Sequence, residues 1–161
     1  MKIITMIAAI GKNNELGKNN DLIWHFSEDM RFFREQTINK PIIMGRKTLE
    51  SLPRILPKRK HIVLSRRSEG YPEEVLVMNS KEDALKWIEE YQDEVMIIGG
   101  ASIYKDFLDY SEKLILTEID AYDKDADVFF PIFNKDEWSE QTLSEHIENN
   151  ISYKHKIYTR K

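Results

Sequence analysis

The sequence predicts a single α/β domain: a mainly parallel, twisted sheet with helices on both faces and an antiparallel hairpin at its C-terminal end. Three observations carry this. Apolar runs at 3–10, 41–45, 61–64, 95–98 and 113–119 alternate with helical stretches, the order that builds parallel strands joined by right-handed crossovers. The run at 3–10 is continuously apolar, as strands covered on both faces are. Past residue 137 the style changes, and strand-like segments 137–146 and 151–159 flank the turn signal Glu148-Asn149-Asn150.

A chain of 161 residues buries roughly 70% of the surface its unfolded form exposes, enough for one core. Composition is 41% hydrophobic and 32% charged, which excludes a disordered chain. Cysteine is absent, so neither disulfides nor thiolate metal sites are available, and a reducing compartment suits the chain. The first apolar run is short, lacks a cleavage site and enters a Gly/Asn loop, so it reads as a strand rather than a signal peptide. No run approaches the ~20 apolar residues that cross a bilayer. A soluble, cytoplasmic monomer is expected.

Charge is unevenly spread. Eight Lys/Arg face one acid, Glu50, between Arg46 and Arg67, against an overall net charge of −4. A basic zone on an acidic body points to a localised anionic ligand rather than to general nucleic-acid affinity. Part of it, Lys58 and Lys60 above all, serves equally well as a solvated turn.

Taken in order, strand 3–10 gives way to loop 11–21, which holds two Gly, four Asn and one apolar residue, Leu16. Long loops of this composition in compact domains are often lids. A helix follows from Ser27, which suits N-capping, to about Ile38, and Pro41 closes it. Phe26, Met30, Phe33 and Thr37 share one face, and Asp29 leans toward it. An acid on an apolar wall loses water and resists ionisation, although an Asp in a first turn also simply meets the helix dipole. Arg46-Lys47-Thr48 opens a short helix ending before Pro53, and Ser65-Arg66-Arg67 ends the strand at 61–64. A short strand at 75–78 precedes a helix at 80–91 that Ser80 opens. Gly99-Gly100 then breaks a strand into a helix running to about Leu108.

In such sheets ligands bind beyond the carboxyl ends of the strands, where Arg46, Lys47, Thr48, Ser65, Arg66, Gly99 and Gly100 gather. Glycines let backbone approach a ligand, and helix starts favour phosphate. Two basic strand ends beside a glycine turn suit a dinucleotide bearing an extra phosphate, NADPH rather than NADH. The glycine pair alone is no full fingerprint and serves equally as a plain turn. The four histidines have no metal-ligand spacing, so no metal is expected, and His25 alone lies near the candidate site. No nucleophilic triad is present.

These residues resemble bacterial dihydrofolate reductases over nearly the whole chain. The likeness runs through Ile7-Ala8-Ala9, Leu16-Gly17, Trp24, Ser27-Glu28-Asp29-Met30, Phe33, Thr37 and 41–48. It continues through Glu50-Ser51-Leu52, Arg54, Leu56-Pro57, Arg59, Ser65, 97–100, Ile103-Tyr104, 116–120, Asp127 and Phe130-Pro131. Each motif is modest, whereas their order and spacing are specific. Ile23 stands where the family has Pro before Trp24, and 52–59 departs from the usual glycine-containing loop, which leaves that loop's course open.

The resemblance implies NADPH-dependent reduction of 7,8-dihydrofolate to tetrahydrofolate, in support of one-carbon metabolism. It makes Asp29 the ionisable group on the pterin, with Trp24 and Thr117 holding its hydrogen-bond network and Tyr104 near the nicotinamide. Ile7, Met30, Phe33, Leu52 and Ile98 become apolar walls of the substrate site, Arg59 pairs with the α-carboxylate of the substrate's glutamate tail, and Arg54 joins the substrate-binding set. Arg46, Ser65 and Arg66 take the 2′-phosphate, and Lys47 and Thr48 the pyrophosphate side. Ala9, Leu16, Gly17 and Asn20, with Gly99, Gly100, Ala101, Ser102, Ile103 and Tyr104, complete the cofactor set. Asp127 braces the lid near Gly17. Two rivals remain open: a fold-related reductase of a pyrimidine precursor in flavin synthesis, and a non-catalytic nucleic-acid module using the basic zone.

Overall fold

The inner strands of the central sheet are apolar on both sides because they are covered twice. The computed structural model describes residues 3–19 and 21–161. Its strands are β1 (Ile3–Ile10), β2 (Glu15–Lys18), β3 (Asp21–Leu22), β4 (Ile42–Gly45), β5 (His61–Leu64), β6 (Leu76–Met78), β7 (Glu94–Gly99), β8 (Lys113–Ile119), β9 (Val128–Phe129), β10 (Trp138–Glu148) and β11 (Ile151–Arg160). The α-helices are α1 (Ser27–Thr37), α2 (Arg46–Ser51), α3 (Lys81–Tyr91) and α4 (Ala101–Phe107).

Eight strands form one sheet in the order β10-β11-β8-β1-β7-β4-β5-β6. The pairs from β8 to β6 are parallel, and β11 and β10 add the expected antiparallel edge. Alternate residues of β1 enter different cores: Met6 packs with Ala84, Ile88 and Phe107 of α3 and α4, and Ile7 with Phe32, Phe33 and Leu49 of α1 and α2. Fully burying a side chain of this size contributes about 1.5–3 kcal/mol, so both faces hold the helices down. Asn149 and Asn150 both adopt positive φ, 53° and 62°, the conformation that a tight hairpin turn demands.

Ser80 caps α3 as its sequence implies, accepting from the Asp83 N–H at 3.1 Å. Ser27 does not cap α1. It is the first helical residue, Phe26 holds the cap position, and the N–H of Ser27 donates to both carboxylate oxygens of Glu148 at 3.0 Å. A charged acceptor from the distant hairpin has replaced a local hydroxyl. The lid is also more ordered than its composition implies, since β2 joins β3 and β9 in a small antiparallel sheet. Among the described residues, no helix is long and apolar enough to cross a membrane.

Candidate active site

Helix α1 crosses the end of β8, and there Asp29 meets the sheet. Its Oδ1 accepts from the Thr117 hydroxyl at 2.5 Å and lies 3.0 Å from His155 Nε2. The carboxylate side chain is 18% exposed and His155 2%. Among the described residues, Oδ2 has no hydrogen-bond partner. One oxygen is therefore held by the scaffold, and the other can serve a ligand. Thr117 and His155 sit opposite each other in the β8–β11 ladder, so one register delivers both donors.

Trp24 packs with Ala9, Phe26, Ile119 and Tyr153, and a Cβ on Gly11 would lie 2.7 Å from its ring. It supports the end of α1 by packing and makes no hydrogen bond to Asp29.

Four of the five apolar residues that the resemblance assigns to the substrate gather in one cluster. Ile7, Phe33, Leu52 and Ile98 pack in one cluster with Phe32, Leu49 and Ile55. Met30, expected on that wall, is 59% exposed and stands outside this cluster. Arg54 is exposed beside a cavity of about 250 Å³ also lined by Leu49, Leu52, Ile55 and Tyr71.

Arg59 is held rather than free. Its Nε donates to Thr37 Oγ1 at 2.9 Å, and Nη1 donates to the Pro57 carbonyl at 3.1 Å. No acidic side chain pairs with it among the described residues. Burial, helped by nearby Arg34, lowers its pKa from the ordinary value, so a carboxylate ligand would relieve an electrostatic cost here. The loop course left open by the sequence is set by His61. Its Nε2 accepts from the Leu56 N–H at 3.1 Å, and its Nδ1 lies 3.0 Å from the Arg59 carbonyl.

Strands β7, β4 and β5 are neighbours, so Gly99-Gly100, Arg46-Lys47-Thr48 and Ser65-Arg66 share one end of the sheet. Gly99 has φ +133°, a conformation that disfavours any side chain. A Cβ there would also lie 3.3 Å from Thr48 Oγ1 and 3.5 Å from the Tyr104 hydroxyl. Tyr104 is buried, donates to the Ile7 carbonyl at 2.7 Å, and has its pKa pushed up by that burial. It thus ties the start of α4 to strand β1. Ile103 is buried against Gly45, while Ala101 and Ser102 face outward. Ser65 Oγ accepts from the Arg67 N–H at 3.1 Å, and Asn79 donates to the Ser65 carbonyl at 2.9 Å. Arg46 is paired, its Nη1 lying 3.1 Å from Glu50 Oε2. Lys47 and Arg66 have no acidic partner among the described residues.

In the lid, the Asp127 side chain accepts from the Asn19 N–H at 3.2 Å, and its own N–H donates to the Gly17 carbonyl at 3.1 Å. Leu16 packs on the main core. Asn20, expected in the cofactor set, lies outside the described residues.

Three residues that matter here escape sequence reasoning. His25, taken as the histidine near the site, is exposed and 3.8 Å from Asp21; His155 touches Asp29 instead. Only the β8–β11 register, placing a residue opposite Thr117, could have pointed to it. Glu15 is buried, its two oxygens accepting the N–H groups of Asn13 at 2.7 Å and Asp123 at 2.8 Å. His61, within a strand, gave no sign that it would pin the preceding loop.

Comparisons with known proteins agree with this geometry. The dihydrofolate reductase family model matches residues 3–160. The dihydrofolate reductase of Haemophilus influenzae is 44% identical over 134 residues, covering 83% of this chain and 82% of its own. That of Staphylococcus haemolyticus is 37% identical over 160 residues, covering 98% and 95%. The solved structure of dihydrofolate reductase from Enterococcus faecalis, complexed with NADP(H) and RAB-propyl, superposes with a TM-score of 0.90 at 30% identity. That match covers 98% of this chain and 96% of the other.

Proposed function

The chain belongs to the dihydrofolate reductase family, and from that premise we propose that Asp29 is its catalytic carboxylate, binding the pterin. The reaction is the NADPH-dependent reduction of 7,8-dihydrofolate to 5,6,7,8-tetrahydrofolate. When bound, NADPH supplies the hydride taken up at C6 of the substrate.

One observation carries the assignment: Asp29 is largely buried, held through Oδ1 by Thr117 and His155, with Oδ2 free of partners among the described residues. A fixed carboxylate of this kind accepts hydrogen bonds from the pterin's 2-amino group and N3. Its charge favours a proton on N5, which must gain one as C6 is reduced. Ile7, Phe33, Leu52 and Ile98 exclude water from the reacting face, strengthening every charge inside. Arg59, oriented by Thr37, takes the α-carboxylate of the glutamate tail through its planar fork. Arg54, beside the cavity that Leu52 and Ile55 also line, completes the substrate-binding set.

The residues present fit the cofactor. The turn at Gly99 is a cradle that a Cβ would crowd, and Lys47 and Arg66 carry unmatched positive charge. Ser65, Arg66 and Arg46 would hold the 2′-phosphate, Lys47 and Thr48 the pyrophosphate side. Residues 99–104, with Ala9, Leu16 and Gly17, would enclose the centre of the molecule. The lid, braced by Asp127, would close over it.

The protein works as a monomer in the cytoplasm on this reading. Supporting it, the outer strand β10 is bulged between Thr142 and Ser144 and exposes Glu140 and Glu145, features that discourage edge-to-edge pairing. Mixing the purified protein with NADPH and dihydrofolate should bleach the nicotinamide absorbance. No loss with dihydrofolate, but loss with a pyrimidine precursor of flavin, would move the assignment to that other reductase class.

A further inference from the structure

His155 occupies a place where an apolar filler would suffice, yet both of its nitrogens are engaged. Its ring lies flat on Phe32, centroids 3.8 Å apart at 8°. Nε2 is 3.0 Å from Asp29 Oδ1, and Nδ1 is 3.1 Å from Ser144 Oγ. The same Oγ lies 2.9 Å from His146 Nε2. Ser144 reaches inward beside the bulge that separates it from Thr142, directly across the ladder from His155.

The chemistry of the partners orients the chain. An ionised carboxylate only accepts, so Nε2 of His155 carries hydrogen. In the neutral ring Nδ1 then accepts, which makes Ser144 its donor and leaves Ser144 Oγ to accept from His146. Every donor in the sequence His146, Ser144, His155 points toward Asp29. We propose that His155 is a positioning residue of the reduction, fixing Asp29 Oδ1 together with Thr117 and coupling the carboxylate's protonation to an imidazole pair in the C-terminal hairpin. This rests on the assignment of Asp29 given above.

The titratable groups facing His155 are Asp29 from α1, His146 from β10 and Tyr153 of its own strand, 4.9 Å and 5.7 Å away ring to ring for the last two. Thr117 of β8 and Phe32 of α1 add no charge. A donor on Oδ1 favours negative charge there, so the proton shared between acid and bound substrate moves toward the substrate. Ser144 matters because its hydroxyl engages the far ring nitrogen and so holds the ring with its N–H on the carboxylate.

Two measurements test this. The first needs no substrate: the NMR titration of the His155 ring, compared with that in Asp29→Asn. A midpoint moved by about half a pH unit or more is expected for coupled groups, and an unmoved midpoint overturns the coupling. The second is single-turnover hydride transfer against pH for the parent, His155→Phe, His155→Gln and Ser144→Ala. His155→Phe keeps the stack on Phe32. It should lower the acid plateau about tenfold, the lower end of the scale on which outer hydrogen-bond partners act on a functional group, and raise the midpoint of the alkaline limb. His155→Gln, which retains an N–H but does not titrate, should recover the plateau. Ser144→Ala, a half-exposed site, should move the midpoint in the same direction by less. Profiles that differ from the parent only in height would reduce His155 to a filler and overturn the proposal. A parent inactive toward dihydrofolate would instead remove the reductase assignment, with the ring titration still reporting the Asp29 coupling by itself.

Discussion

The N–H of Leu56 donates to Nε2 of His61 across 3.1 Å, and the other ring nitrogen meets the Arg59 carbonyl at 3.0 Å. One neutral imidazole therefore clamps both ends of the loop that presents Arg59. Burial pushes its pKa below the ordinary 6.5, although the Arg59 carbonyl pulls the other way. A histidine whose folded value lies below its unfolded value binds fewer protons when folded. Its stabilisation is complete above about 6.5 and is lost as pH falls through the window beneath. Urea midpoints should accordingly fall on acidification below that point. His61→Leu should cost about 1–3 kcal/mol by leaving two backbone groups unpaired. It should also flatten this part of the pH dependence and raise KM for dihydrofolate more than for NADPH.

Cofactor choice should rest unequally on the two arginines. Arg46 already has Glu50 at 3.1 Å, whereas Arg66 has no acidic partner among the described residues. Arg66→Ala should raise KM for NADPH about tenfold, the worth of one charge-assisted contact, and leave that for NADH nearly unchanged. Arg46→Ala should do less. Steady-state kinetics with both cofactors decide it, and equal losses with NADPH and NADH would make these side chains structural.

How much of this could be read beforehand depended on whether the cause is local. Strand runs, the Ser80 cap and the Asn149-Asn150 turn announce themselves because a few neighbouring residues determine them. Asp29 stands out by its place beside the apolar face of its helix, Thr117 comes from the family resemblance, and the structure joins them directly. The misses are long-range. Glu148 caps α1 from 121 residues away, and His155 reaches Asp29 across 126, so neither leaves a spacing to detect. Met30 fell on the apolar face by periodicity, but the sheet covers only part of that face.

The lid offers a contrast between two acids. Asp127 is exposed and holds the Asn19 N–H at 3.2 Å, so Asp127→Ala should slow hydride transfer severalfold with little change in unfolding midpoint. Glu15 is buried and accepts from Asn13 and Asp123. Glu15→Gln turns one acceptor into a donor facing a donor, which should cost about 1–3 kcal/mol. Single-turnover rates beside thermal melts separate the two. A matching transfer rate in Asp127→Ala would remove its role as a brace.

The pH dependence of the chemistry should belong to Asp29. Thr117 and His155 already satisfy Oδ1, so the charge that meets the pterin is on a carboxylate that cannot turn away. Asp29→Asn keeps the size of the side chain, and its amide oxygen can still accept from Thr117. It loses the charge that draws a proton to N5, and if the amide nitrogen faces the pterin it opposes donors with a donor. Hydride transfer at neutral pH should fall by about 10²-fold or more, the scale of positioned acid–base groups. NADPH affinity should hardly change, because Asp29 lies on α1 and the phosphate-side residues lie at the ends of β4 and β5. In the parent, the rate should decline through a midpoint as pH rises and N5 of the bound substrate ceases to be protonated. The variant should lose that midpoint and regain rate only where solution acid protonates dihydrofolate itself. Single-turnover transfer measured against pH for both proteins checks this, and parallel curves of similar height would leave Asp29 as nothing more than a residue that suits the start of a helix.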